Sequence, residues 1–166
     1  MTVAERHGRH YTSRVTLFPR MCFPDDRLAL EVDGGVVNAR TLARRAAFHA
    51  EGLRAMGLAR GDRVAVFASP DIESLTAIVG NVLAGFVTVP LNPRIGEREL
   101  SHVLDDASPR LVLGTDAEMR ALVTRLRPAI AVAERVRGES ETRNVPSSLD
   151  DAPLMVLYTS GTTGAP

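Results

Sequence analysis

The sequence predicts an α/β fold in which βα units form a mostly parallel sheet flanked by helices. Three observations carry this. Short β-branched runs recur along the chain, amphipathic stretches separate them, and Gly, Pro or Ser marks nearly every junction. Such alternation favours parallel strands, because each helix supplies the crossover that returns the chain to the start of the next strand.

The elements follow in order. Residues 1–14, MTVAERHGRHYTSR, lack the apolar stretch of a secretory signal and read as a disordered extension, with Val15 as a possible alternative start. The globular portion then covers 15–166. LALEV (residues 28–32), Asp33-Gly34-Gly35 and Val36-Val37 predict a hairpin, since Asp and Gly supply the positive φ of a tight reversal. Asn38 is expected to cap a helix from about Ala39 to Met56, with Leu42, Ala46, Ala50, Leu53 and Met56 on its buried face and Gly57 or Gly61 ending it.

GDRVAVF (residues 61–67) predicts a strand. Ser69-Pro70 predicts a helix start, with the hydroxyl as cap and proline at the first helical position. The helix from Asp71 to about Ala84 shows Ile72, Leu75, Ile78, Val79 and Leu83 on one side, and after Gly85 the run FVTVPL returns as a strand. Pro90, Asn92 and Pro93 end that strand. A helix with the stripe Leu100, Val103 and Leu104 runs to Ser108-Pro109, then come a strand at 110–114, a helix at 118–127 and a short strand at 130–133. Residues 134–153, rich in charge, Ser and Pro, read as a surface connection that is ordered only where something packs on it. LMVLYT, uncharged, is a last strand candidate.

Composition narrows the function. A chain of 166 residues suffices for one hydrophobic core, and no apolar run approaches the roughly 20 residues of a membrane span. The formal net charge is zero, so no basic field attracts nucleic acid. All 20 basic residues are arginine, which matches the codon bias of a GC-rich genome and leaves no lysine to act as nucleophile or phosphate clamp. The single cysteine, Cys22, excludes an internal disulfide or a thiolate metal cage and fits a reducing, cytoplasmic setting. His7, His10, His49 and His102 show no ligand spacing. His49 and His102 fall in helical patterns, where partly exposed structural roles are expected.

One motif carries chemistry. After the apolar run come Thr159, Ser160, Gly161, Thr162, Thr163 and Gly164. The glycines let backbone amides converge without Cβ obstruction and the hydroxyls can donate to anionic oxygens, which are the ingredients of a phosphate cradle. It is not a Walker loop, because G-x-x-x-x-G-K-[ST] is absent. By composition alone a Gly/Ser/Thr linker fits equally well. The preceding strand and βα series favour a site, since loops at strand carboxyl ends usually hold ligands.

YTSGTTGAP (residues 158–166) closely resembles the ATP-binding signature of the adenylate-forming enzymes, the superfamily of acyl-CoA synthetases, nonribosomal-peptide adenylation domains and luciferases. VLAGFVTVPLNP (residues 82–93) is similar to a second motif of that superfamily, and the LALEV hairpin and GDRVAVF strand stand in the expected order. VPLNPRIGERELSHVLDDASPRLVL looks most like the acyl-CoA ligases. TLFPRM and PLNP resemble the bacterial malonyl- and methylmalonyl-CoA synthetases.

The resemblance implies an N-terminal, incomplete part of the AMP-binding large domain of an acid–CoA ligase. Carboxylate attacks the ATP α-phosphate to give acyl-AMP and pyrophosphate, and coenzyme A then displaces AMP. It implies that Thr159, Ser160, Gly161, Thr162, Thr163 and Gly164 contact the β and γ phosphates. Mg2+ ligands, the ribose-binding aspartate, the acid pocket and the catalytic lysine would lie beyond Pro166, where the signature normally continues with Lys-Gly. No catalytic residue or metal ligand is therefore assigned within these residues, and the isolated chain is expected to be inactive and, with its last strand an open edge, to self-associate. Two alternatives remain open: a noncatalytic nucleotide-binding or interaction module, and an adenylation domain of peptide or siderophore assembly.

Overall fold

Asp33 and Gly34 take positive φ, 49° and 74°, the left-handed values that a tight hairpin turn requires. They join β1 (Leu28–Val32) to β2 (Gly35–Asn38) in an antiparallel hairpin, preceded by a single helical turn, α1 (Pro19–Cys22). The computed structural model describes residues 19–114, 116–141 and 153–158. The expected extension at 1–14 and the start at Val15 lie outside the described residues.

Asn38 caps α2 (Ala39–Ala55), its side chain accepting the Thr41 amide at 2.8 Å. Leu42, Ala46, Ala50 and Leu53 are buried as the periodicity predicts. Met56 departs from the expectation and is 48% exposed, because it is the C-cap residue, where the helix has ended. Gly57, at φ 85°, turns the chain away.

β3 (Arg63–Phe67) leads into α3 (Ile72–Ala84), and the cap there differs from the sequence expectation. Asp71, not Ser69, is the N-cap, accepting the Ser74 amide at 2.6 Å. Ser69 instead donates its own amide to Ser74 Oγ at 3.0 Å, and Pro70 stands ahead of the helix. Aspartate is as good a cap as serine, and here an arginine also binds it.

α3 is also buried on more sides than its stripe suggests. Ser74, Thr76, Ala77, Gly80, Asn81 and Ala84 are all buried, whereas Leu75 and Ile78 are only half-buried. The cause is its position, packed on α2 as well as against the sheet.

β4 (Val87–Leu91), α4 (Glu97–Ala107), β5 (Leu111–Leu113), α5 (Ala117–Leu126) and β6 (Ala131–Ala133) complete the series. The four strands β3 to β6 form one parallel sheet in the order β4-β3-β5-β6, with Val64 opposite both Thr88 and Leu111. Period-two alternation divides the core. Val64, Val66, Leu111 and Leu113 pack with Ala50, Leu53, Ala77 and Ala84 of α2 and α3. Ala65, Phe67, Val89, Leu91 and Val112 pack with Leu100, Val103, Leu104 and Val123 of α4 and α5. A third cluster joins Met21 and Val37 to the far side of α2 and α3.

The charged stretch after β6 is held where it touches the domain. Among residues 134–141, Arg135 and Ser140 are buried. The Ser140 amide donates to Arg44 O at 3.1 Å, and Glu139 lies 3.5 Å from both Arg44 and Arg45 of α2.

Candidate functional site

The run before the glycine-rich motif lies along the outer edge of β4. The Thr88 amide donates to Leu154 O and the Val156 amide to Thr88 O, each at 2.9 Å. This makes one parallel bridge between Met155 and Thr88 rather than a full strand. The side chains nevertheless alternate as in a strand, with Val156 and Tyr158 packed on the α4 side of the core and Met155 and Leu157 exposed. The sheet is thus extended beyond β4 by a segment running in the same direction.

Tyr158 is the last described residue before the motif. Its hydroxyl donates to Asp106 Oδ2 of α4 at 2.5 Å. Partial burial, the hydrogen bond to Asp106 and that carboxylate's charge push the phenol up to about 12, with Arg63 acting in the opposite sense. The phenol therefore stays protonated and remains a donor at any physiological pH. Thr159, Ser160, Gly161, Thr162, Thr163 and Gly164 lie outside the described residues.

The other carboxyl-edge features are occupied by the protein itself. β3 is followed by β4 on one side and β5 is followed by β6 on the other, so the topological switch point, where open α/β sheets usually bind ligands, falls between β3 and β5. Arg135 closes it. Its guanidinium donates to Asp71 Oδ1 at 2.9 Å and to Phe67 O at 2.8 Å, with the side chain only 2% exposed. Arg120 donates to Gly114 O at 2.8 Å and pairs with Glu134 at 2.9 Å.

Burial raises the Asp71 carboxyl, but its bonds from the Ser74 amide and Arg135 outweigh this and hold it below the usual carboxylate range. The N-termini of α3 and α5 are likewise taken by their own caps, Asp71 and Asp116, which removes two ready-made anion sites.

A cleft of about 260 Å³ beside α2 and α3 offers no phosphate site either. Glu73 and Glu139 line it together with Arg45 and Arg137, so its charges offset. Among the described residues no group of three or more His, Cys, Asp or Glu could hold a metal ion.

Sequence reasoning missed Arg135, Asp106 and the buried state of His49. Tyr158 stood within the recognised signature, but nothing local marks Asp106, which lies 52 positions away, as its partner. His49 is 1% exposed rather than partly exposed. It hydrogen-bonds Asn81 across the α2–α3 seam, a contact that no spacing rule reveals.

Comparison with known proteins agrees with this geometry. A family model described as AMP-binding enzyme matches residues 21–166. A feruloyl-CoA synthase of an Amycolatopsis species is 35% identical over 141 residues, spanning 83% of this chain and 28% of that protein. ATP-bound MatB from Rhodopseudomonas palustris has a TM-score of 0.77 and 30% identity, over 91% of this chain and 33% of that one. A malonyl-CoA ligase with methylmalonyl-CoA and AMP bound has a TM-score of 0.65 and 37% identity, over 89% of this chain and 31% of that one. The chain therefore spans about a third of the length of these relatives. Among the described residues, no helix is long and apolar enough to cross a membrane.

Proposed function

The chain belongs to the AMP-binding enzyme family, and from that premise we propose that it forms the N-terminal part of an ATP-dependent acid–CoA ligase. The observation that carries the proposal is the parallel segment Leu154–Tyr158, seated on β4 and entering YTSGTTGAP directly. A strand that hands the chain to a glycine-rich loop at a sheet edge is the usual setting for triphosphate recognition.

In this reading Thr159, Ser160, Gly161, Thr162, Thr163 and Gly164 present amides and hydroxyls to the β and γ phosphates. A carboxylate is a poor electrophile. Its oxygen attacks the α-phosphorus, the bond to the bridging oxygen breaks, and pyrophosphate leaves with the negative charge that the loop's donors offset. The sulfur of coenzyme A then bonds to the acyl carbon with loss of its thiol proton, the acyl–phosphate oxygen bond breaks, and AMP leaves. Mg2+ would neutralise triphosphate charge. Its ligands are assigned beyond Pro166 on the resemblance of YTSGTTGAP to the family signature. A cytoplasmic location suits these substrates.

Relatives that act on feruloyl and malonyl groups leave the acid class broad. We assign first place in a screen to malonate-type diacids, on the TLFPRM and PLNP resemblance.

The test is acid-dependent ATP–pyrophosphate exchange, followed by CoA thioester formation, by the full-length gene product with diacids, aryl acids and fatty acids. Exchange with at least one acid is expected. ATP binding without exchange for any acid would overturn the ligase and support the noncatalytic module. Acyl transfer to a carrier-protein thiol but not to CoA would support the assembly-line alternative. The isolated 166-residue chain should show no exchange above background.

A further inference from the structure

Residues 135–140 run along α2 as a strap fastened at both ends. Arg135 ties one end to Asp71 and Phe67. At the other, the Ser140 amide donates to Arg44 O and its hydroxyl to Glu51 Oε1 at 3.0 Å. Two glycines let the strap lie close. A Cβ on Gly52 would stand 3.0 Å from Val136 Cγ1, and one on Gly138, whose φ is 155°, would stand 2.5 Å from Phe48 Cε1.

The cleft of about 260 Å³ opens between this strap, α2 and α3, so its walls are held in place before any ligand arrives. Three elements place two charges of each sign around it: Arg45 of α2, Glu73 of α3, and Arg137 and Glu139 of the strap. Arg45 and Glu139 lie 3.5 Å apart. Glu73 and Arg137, by contrast, have side chains that make no ion pair or hydrogen bond among the described residues. Thr76 also lines the cleft, one turn along α3 from Glu73. It is 7% exposed, and its hydroxyl has no hydrogen-bond partner among the described residues, which leaves its desolvation uncompensated.

A ligand of one charge sign would meet two like charges in this cleft. A ligand carrying both signs would meet a partner for each. The volume lies below the roughly 300–1,000 Å³ of most ligand and cofactor pockets, which suits a molecule the size of an amino acid rather than a nucleotide.

We propose that the cleft binds a small zwitterion, with an ammonium and a carboxylate at opposite ends of a short carbon chain. Arg137 takes the carboxylate, Glu73 takes the ammonium, the Thr76 hydroxyl bonds one of the two, and the chain lies on Val136. Both ends make charge-assisted hydrogen bonds, the stronger kind. This inference stands apart from the ligase reading, since it needs neither ATP nor a reaction.

The test uses the full-length gene product without nucleotide, titrated with 4-aminobutyrate and 6-aminohexanoate. Hexylamine and hexanoate are the singly charged controls. Calorimetry gives affinity, and hydrogen exchange of peptides covering 73–76 and 136–139 locates the ligand. At least one zwitterion should bind saturably and slow exchange in both peptides, and neither control should do so. Glu73→Gln and Arg137→Gln, at exposed positions and close to the natural side chains in shape, should each weaken binding by roughly tenfold, and Thr76→Val by about fivefold. Pyrophosphate exchange should stay within about twofold of wild type in both Gln variants, since neither residue is placed in the reaction.

If neither zwitterion binds saturably, the proposal is overturned. Equal protection of both peptides by hexylamine or hexanoate would also overturn it, because recognition would then need only one charge. So would zwitterion binding that both Gln variants leave unchanged, which would place the ligand elsewhere on the protein.

Discussion

His49 Nε2 lies 2.9 Å from Asn81 Oδ1 inside the seam between α2 and α3, where His49 is 1% and Asn81 0% exposed. Asn81 Nδ2 and the nearby helix residue Thr76 Oγ1 have no hydrogen-bond partner among the described residues. This buried side-chain hydrogen bond, together with that from Arg54 Nη2 to Ala84 O at 3.4 Å, ties the two helices that cover one face of the sheet.

The seam should make stability acid-sensitive. Burial pushes the imidazole below its ordinary value of 6.5, the Asn81 bond only partly opposing this. The unfolded chain therefore binds a proton before the folded one does. Stability is complete above about pH 6.5 and falls as pH drops below it, by at most about 1.4 kcal/mol per pH unit, until the folded-state histidine itself titrates. Urea unfolding between pH 7.5 and 5 measures this, and His49→Leu should flatten that portion of the profile. An unchanged slope in the variant would place the acid sensitivity elsewhere.

Close approach of the same helices predicts that Gly80→Ala destabilises. A Cβ there would sit 2.9 Å from His49 Cδ2 and 3.0 Å from the Ala46 carbonyl oxygen. Alanine in a helix interior normally gains about 1 kcal/mol over glycine. Here overpacking should reverse the sign, at a cost of about 1–3 kcal/mol by denaturant titration. Gly96→Ser serves as the control of opposite sign. Gly96 is the N-cap of α4, has open space around it and offers no side-chain cap, so serine should stabilise by a few tenths of a kcal/mol.

The Arg135–Asp71 pair should be costly to break from either side. Arg135→Ala removes the guanidinium from Phe67 O and leaves Asp71 with only the Ser74 amide, and the loss should be about 2–3 kcal/mol, reduced from the fully buried case because the Asp71 side chain is 36% exposed. Asp71→Ala removes both the charge partner and the α3 cap, whereas Asp71→Asn keeps the cap and should cost about 1 kcal/mol less. Equal losses for the two Asp71 variants would mean that the cap contributes nothing.

Leu157, 68% exposed, and Met155, 37% exposed, stand on the outer edge beside β4. An apolar segment on a sheet edge pairs readily with other chains. The 166-residue chain should therefore self-associate in a concentration-dependent way, and Leu157→Lys should shift light scattering toward monomer. A wild-type monomer at high concentration would contradict this.

Much of the secondary structure was legible because its signals are local. Asn38 caps α2 through Thr41, three residues away, and the Asp33-Gly34 turn is written in two residues. The β-branched runs at β3, β4 and β5 needed only their own composition. Ser69 was expected to cap α3 and Asp71 does so instead, because two good caps stand two residues apart and the ion pair with Arg135, 64 positions away, favours the aspartate. Leu75 and Ile78 looked like core and are half-exposed, while Ser74 and Asn81 are buried. Periodicity marks one apolar face and cannot anticipate a helix enclosed by two neighbours.

By itself the sequence determined the class of fold, the order of its elements and the family to which its glycine-rich motif points, since caps, turns, period and motif all act over a few residues. Only the tertiary structure decided which groups meet: Tyr158 with Asp106, Arg135 with Asp71 and Phe67, His49 with Asn81. Each pair joins residues at least 32 positions apart, brought together by burial of apolar surface around the sheet. Hydrophobic burial is non-directional, so it leaves no local trace in the sequence of which polar partners will be enclosed together.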